Sequence, residues 1–183
     1  MKIHRFPVTT STNDEAIRRA KSGEDFEDGE AFIADRQTAG RGRMGRSWES
    51  PPGNLYVSFL LKPQVSIAKA TELTLLAADV VCKVLAPLSP VPLTIKPPND
   101  ILVQGKKLAG ILAESATLKD RPLWVVVGIG INLNSGDFSP ELSEAATSLK
   151  KISGRTVDVS ETASALIENF ERAYRGFIDV ARN

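Results

Sequence analysis

Residues 40–48, GRGRMGRSW, carry three arginines and three glycines in a chain whose charges otherwise nearly cancel. A guanidinium holds carboxylate or phosphate through a planar fork and keeps its charge at any working pH. Glycines let main-chain N–H groups come close to an anion. Arg41, Arg43 and Arg46 on such a loop suit a ligand rich in phosphate or carboxylate; the simpler alternative is a solvated loop touching a nucleic-acid backbone. The loop is no phosphate-binding P-loop, because GxxxxGK[ST] is absent. GRGRMG does fit G-x-G-x-x-G, but two arginines and Met44 crowd it and no helical pattern follows, so a dinucleotide site is not expected.

Two further clusters bear on the same chemistry. KPPND, residues 96–100, precedes Lys106, Lys107, Leu108, Ala109 and Gly110. A lysine there supplies a mobile positive charge for a phosphoryl or acyl-phosphate oxygen, and Asp100 can hold Mg²⁺ or take a proton. The plain alternative for the lysine pair is a solvated turn. In GIGINLN, residues 128–134, glycines within an apolar strand imply close approach of a ligand or another backbone, or simply tight sheet packing. Asn132 is then placed to read a base or ribose edge.

The elements that must position these groups follow from periodicity. Thr12 to Glu15 has the form of a capping box, with Ser11 as the other candidate cap, and opens a helix to about Ala20 that Gly23 stops. Residues 31–36 read as a strand running into the arginine loop, and residues 54–61 as an internal strand. Residues 67–85 carry Leu73, Leu76, Ala77, Val80, Val81 and Val84 at helical spacing, ended by Pro87. LTIK is a short strand that Pro97 and Pro98 force into an extended exit. ILV and LAGILAES form a hairpin with Gln104 and Gly105 near its tip, and residues 123–134 another buried strand. Ser139 and Pro140 read as a helix start, and residues 160–178 as an amphipathic helix. Helices interleaved with nonlocal strands predict an α/β or α+β class with a mixed sheet.

Composition sets the outer bounds. A chain of 183 residues, 42% hydrophobic and 25% charged, is one domain able to bury a core. A net charge of +1 argues against a surface that traps nucleic acid as a whole, so any basic site is local and DNA is not an expected partner. The single cysteine, Cys82, rules out a disulfide framework or a CxxC pair and reads as a packing residue. No apolar leader opens the chain and no run reaches membrane-spanning length, so a cytoplasmic protein without membrane contact is expected.

Taken in order, six pieces of the chain resemble the catalytic domain of biotin protein ligases: STN (11–13), QTAGRGRMGRSWESPPGNLYVS (37–58), KPPNDILV (96–103), KKLAGILAE (106–114), VGIGINLN (127–134) and ATSL (146–149). The resemblance implies a central mixed β-sheet flanked by helices, related to lipoate ligases and class II aminoacyl-tRNA synthetases. It implies a two-step reaction. Biotin and ATP with Mg²⁺ give biotinyl-5′-AMP and pyrophosphate, and a lysine of a biotin carboxyl carrier domain then takes the biotinyl group and releases AMP.

The same resemblance assigns residues. Arg43 and Lys107 lie where biotin carboxylate meets phosphate, with Arg46 on the ATP phosphates, Trp48 beside the adenine, and Asn99 and Asn132 near the nucleotide. Ser11, Thr12 and Gln37 bond the ureido ring, with Asn13, Gly40 and Arg41 in the same biotin set. Leu108 and Gly110 line the slot for the valeryl chain, and Asp100 serves magnesium or the acceptor amine. The loop is expected to order over an acyl adenylate. The pattern departs from the family at Pro97, where a tryptophan is usual. The sequence is read as the catalytic domain by itself, residues 1–183, without a helix-turn-helix before it or a β-barrel domain after it. Rival readings are a lipoate or octanoate ligase or transferase on the same fold, a biotin-binding sensor without catalysis, and a small nucleic-acid-binding protein. A homodimer is left open.

Overall fold

The computed structural model describes residues 1–182. Seven strands form one sheet: β1 (Ile3–Phe6), β2 (Glu30–Ala34), β3 (Leu55–Leu61), β4 (Leu93–Lys96), β5 (Asp100–Val103), β6 (Lys106–Leu118) and β7 (Arg121–Ile131). Their order across the sheet is β1-β2-β3-β7-β6-β5-β4. The β1–β2 pair is parallel and every other pair antiparallel, so the sheet is mixed, as expected from the sequence. Helices α1 (Thr12–Lys21), α2 (Ile67–Ala70), α3 (Leu73–Leu85), α4 (Leu149–Ser153) and α5 (Val159–Arg182) flank it. Among the described residues no helix is long and apolar enough to cross a membrane.

Alternation along the strands decides what each face does. Val57, Phe59 and Leu61 of β3 and Val125, Val127 and Ile129 of β7 join residues of α3 and α5 in the main core. Phe59 and Phe170 stack there with ring centroids 3.9 Å apart. The opposite phase holds Phe32, Leu60, Trp124 and Val126, which pack with Ala16 of α1 in a second, smaller cluster. Further along that face the side chains become small or polar: Ser58 on β3, Gly128 and Gly130 on β7, Gly110 on β6. The sheet therefore buries the main core on one face, and on the other packs apolar side chains under α1.

Several sequence expectations change here. The long helix over residues 67–85 is two helices, broken at Thr71 and Glu72. Thr71 Oγ1 donates back to the Ala68 carbonyl at 2.6 Å, and Ile67 N–H donates to Asp120 O, which ties the first turn to the β6–β7 connection. No helix follows Ser139 and Pro140; Leu142 N–H and Ser143 N–H both donate to Ser139 O in a run of turns, because Ala146 is drawn into a bridge with Lys107. Ser11 does occupy the N-cap position of α1 with extended backbone, but its hydroxyl makes no capping bond. Glu15, the expected box partner, accepts from Thr9 Oγ1 instead. Two elements go beyond the sequence pattern, the short edge strand β1 and α4. The signals for α4 were present: Ser148 Oγ accepts from Lys151 N–H, and Gly154 closes the helix with φ of 71°.

Candidate active site

The sheet face beyond α1 carries two neighbouring cavities that share Gly42, Arg43, Trp48, Asn99 and Lys107. The smaller ends in a polar floor. Thr12 N–H and Oγ1 both donate to Gln37 Oε1, at 2.8 and 3.1 Å. Gln37 Nε2 donates to Ser50 Oγ at 2.8 Å, and Ser50 Oγ donates to the Trp48 carbonyl at 3.0 Å. On the other side Ser58 Oγ lies 2.7 Å from Thr12 Oγ1 and 2.6 Å from Asn13 Oδ1, one of which takes its proton. Asn13 Nδ2 donates to Glu114 Oε2 at 2.7 Å. Ser11, with Thr12, Asn13 and Gln37, borders this cavity.

The glycines of the GIGIN segment are explained by two side chains. A Cβ on Gly128 would stand 2.0 Å from Asn13 Oδ1, and one on Gly130 2.7 Å from the Trp48 indole. Gly110 meets the same indole and Lys107 at 3.0 Å. Trp48 thus lies against a strip of bare backbone between the cavities. Its Nε1 is buried with no hydrogen-bond partner among the described residues.

Lys107 reaches this junction through a β-bulge. Register between β5 and β6 runs Ile101–Ala109 and then Leu102–Lys107, so Leu108 is left unpaired. The extra residue reverses the alternation, and Lys107 faces the same side as Gly110. Lys107 Nζ lies 2.7 Å from Asp100 Oδ1, off the direction of a well-formed hydrogen bond, and 5.2 Å from the Trp48 ring centroid. Arg43 Nη1 donates to Asn99 Oδ1 at 3.0 Å, while Asn99 Nδ2 donates to Ile111 O. Asn99 therefore holds Arg43 at the meeting point of the cavities.

The larger cavity, about 370 Å³, opens from there. Arg46, Asp100 and Asn132 border it, with Glu49, Asp137, Phe138 and Leu142, for which the sequence holds no expectation. Asp137, Phe138 and Leu142 sit in a segment with no regular period, which carries no signal of a site in the sequence. The segment is fixed to the sheet where Lys107 N–H donates to Ala145 O and Thr147 N–H donates to Lys107 O.

Three assigned residues take other places. Leu108 borders neither cavity; the bulge turns its side chain into the main core, where it is fully buried. Gly40 also lies outside both linings, and its bare Cα lets Ser50 Oγ and the Trp48 carbonyl approach to within 2.5 Å of where a Cβ would be. Arg41 borders the smaller cavity, but its guanidinium is held by acidic groups. Nη1 and Nη2 donate to the two Glu114 oxygens at 2.8 Å each, and Nη2 is 2.7 Å from Asp14 Oδ1. Burial pulls its pKa down, yet Glu114 and then Asp14 outweigh that and leave it raised. Pro97 is exposed and borders neither cavity.

The sequence profile of the biotin/lipoate A/B protein ligase family matches residues 5–132. The chain belongs to that family. It is 43% identical over 154 residues to the bifunctional ligase/repressor BirA of Bacillus spizizenii, covering 82% of this chain and 47% of that protein. It is 37% identical over 172 residues to the biotin--[acetyl-CoA-carboxylase] ligase of Paracoccus denitrificans, covering 90% and 69%. The biotin protein ligase of Aquifex aeolicus in complex with biotin and ATP superposes with a TM-score of 0.82 at 32% identity, covering 97% of this chain and 72% of that one. The chain spans about half the length of the Bacillus relative.

Proposed function

We propose that this chain performs the catalytic chemistry of a biotin protein ligase, activating biotin with ATP and passing it to a lysine of a biotin carboxyl carrier domain. The observation that carries the reading is the meeting of two unlike cavities at Arg43 and Lys107. The smaller has a floor of paired amide and hydroxyl groups, which suits the donors and acceptor of a ureido ring better than the end of an octanoyl or lipoyl chain. The larger has the volume and mixed lining of a nucleotide site.

The first step joins a carboxylate oxygen to the α-phosphorus and releases pyrophosphate. Two anions must approach, and Arg43 and Lys107 offset their repulsion from fixed positions. Arg46, which borders the larger cavity, takes the departing phosphates in this reading. Trp48 covers the junction and excludes water from the anhydride. In the second step the acceptor amine attacks the acyl carbon, AMP leaves with the C–O bond electrons, and a base takes the amine proton; Asp100, beside Lys107, is the nearest carboxylate.

Among the described residues no cluster of three or more His, Cys, Asp or Glu is arranged around a metal site. Mg²⁺ still fits the donors present, because it is usually held by one or two carboxylates together with substrate phosphates and water. Asp100 and Asp137 border the larger cavity and would hold it. Bound there, the ion neutralises phosphate charge.

The test is pyrophosphate release from Mg-ATP with biotin, lipoate, octanoate or no acid, with the acyl-AMP identified by mass. Release with biotin alone is expected. Release with lipoate or octanoate instead would keep the fold and overturn the substrate, and calorimetric biotin binding without turnover would favour a sensor.

A further inference from the structure

We infer that Glu114 is a positioning residue that fastens the arginine loop shut, and that it governs how long the acyl adenylate is retained more than how fast it forms. The retention part rests on the ligase reading; the fastening does not.

The loop over residues 40–48 is closed on itself. Gly42 N–H donates to Arg46 O, Trp48 N–H donates to Gly40 O, and Arg41 bridges Ser47. Such a unit moves as one body, so two anchors define its position. One anchor is at Trp48, whose carbonyl accepts from Ser50 and through it reaches Gln37 and Thr12. The other is Arg41 on Glu114, 73 positions away in sequence. Glu114 lies on the site face of β6, and its Oε2 also accepts from Asn13. Asn13 returns through Ser58 to Thr12, so both anchors close on the same floor residues.

An exposed ion pair ordinarily contributes little, because solvent screens it and two long side chains lose freedom. This one meets the conditions under which a pair does matter. It is bidentate, Asp14 adds a second carboxylate, and Glu114 is itself held by Asn13. With both carboxylates on Arg41, the other cations of the cavity linings are Arg43, Arg46 and Lys107, so loosening the catch removes no charge from the reacting atoms.

Limited trypsin digestion of the unliganded protein tests the fastening whatever the chain acylates. In Glu114→Gln, cleavage after Arg43 and Arg46 should rise about tenfold while cleavage outside residues 40–48 stays at the wild-type rate, the pattern of a local opening. Unchanged cleavage in the loop would overturn the catch. If every site is cleaved faster, the variant has lost its fold, and Asp14→Asn decides: a rise confined to the loop supports the catch and no rise overturns it. In the second arm, bound acyl-AMP is chased and its half-life on the protein measured. Glu114→Gln should shorten the half-life about tenfold with single-turnover formation within about twofold, and Glu114→Asp should fall between. Equal losses in formation and retention, or unchanged retention, would overturn the role assigned to Glu114. If the wild-type protein forms no acyl-AMP, the ligase reading falls and the digestion alone judges the catch.

Discussion

At the scale of single residues, Lys107 is a cation at the junction of the two cavities. Its partner Asp100 approaches without a well-directed hydrogen bond, and its side chain lies over an indole. Lys107→Ala should therefore slow adenylate formation by about 10²–10³, the cost of removing one preorganised charge-stabilising group, while the melting temperature stays near the wild-type value. Pyrophosphate release and a thermal melt on the same sample check this. Unchanged adenylation in the folded variant would take Lys107 out of the mechanism. Arg41 shows the opposite case. Residue type and loop placement made it a ligand candidate, but a guanidinium binds whichever carboxylates the fold supplies, and here those are Glu114 and Asp14. No local pattern joins position 41 to position 114.

At the scale of elements, strand period explains most of the site and one irregularity explains the rest. Along β7 the alternation places Gly128 and Gly130 on the ligand face and Val127, Ile129 and Ile131 in the core. Both glycines were read from the sequence as points of close approach, which is what they are, with side chains and not backbone as the neighbours. Gly128→Ala should displace Asn13, which is short, buried and bonded at both ends, and so has little room to yield. Overpacking of that kind costs about 1–3 kcal/mol, which lowers the melting temperature of a domain this size by about 3–10 °C. A scanning-calorimetry trace at wild-type temperature would refute it. The bulge at Leu108 escaped the period reading because a two-residue repeat assumes an unbroken ladder. Its effect is large: without it Lys107 would face the core and Leu108 the ligand.

At the scale of the whole molecule, burial couples the site wall to stability. Tyr56 is 1% exposed on β3, and its hydroxyl donates to Pro51 O at 2.8 Å. Burial pushes its pKa well above the ordinary phenol value of 10.0. The folded state thus holds this proton more tightly than the unfolded chain. Below pH 10 both states are protonated and the contribution is complete; above it the unfolded chain ionises first, and stability falls by up to about 1.4 kcal/mol per pH unit until the folded phenol titrates. Tyr56→Phe should be less stable than wild type at pH 8 by about 1 kcal/mol, the worth of the lost hydrogen bond. Its loss of stability above pH 10 should be shallower, so the two curves converge in denaturant titrations at rising pH. Parallel curves would mean that Tyr56 ionises equally in both states.

What the sequence determined by itself were the local features: the strand and helix periods of β2, β3, β7 and α5, the turn at Gln104 and Gly105 with φ of 49° and 79°, and the three clusters of candidate site residues. These depend on neighbours a few positions apart, so their physics is written in short stretches. Tertiary structure decided which members of those clusters border the two cavities. Lys107 and Leu108 exchange faces through a bulge set by pairing with β5. Gly40 serves an approach of Ser50 and Trp48, and Arg41 is claimed by a carboxylate on a distant strand. Each of these outcomes depends on register and on which surfaces meet when the sheet assembles, and no window of the chain contains both partners.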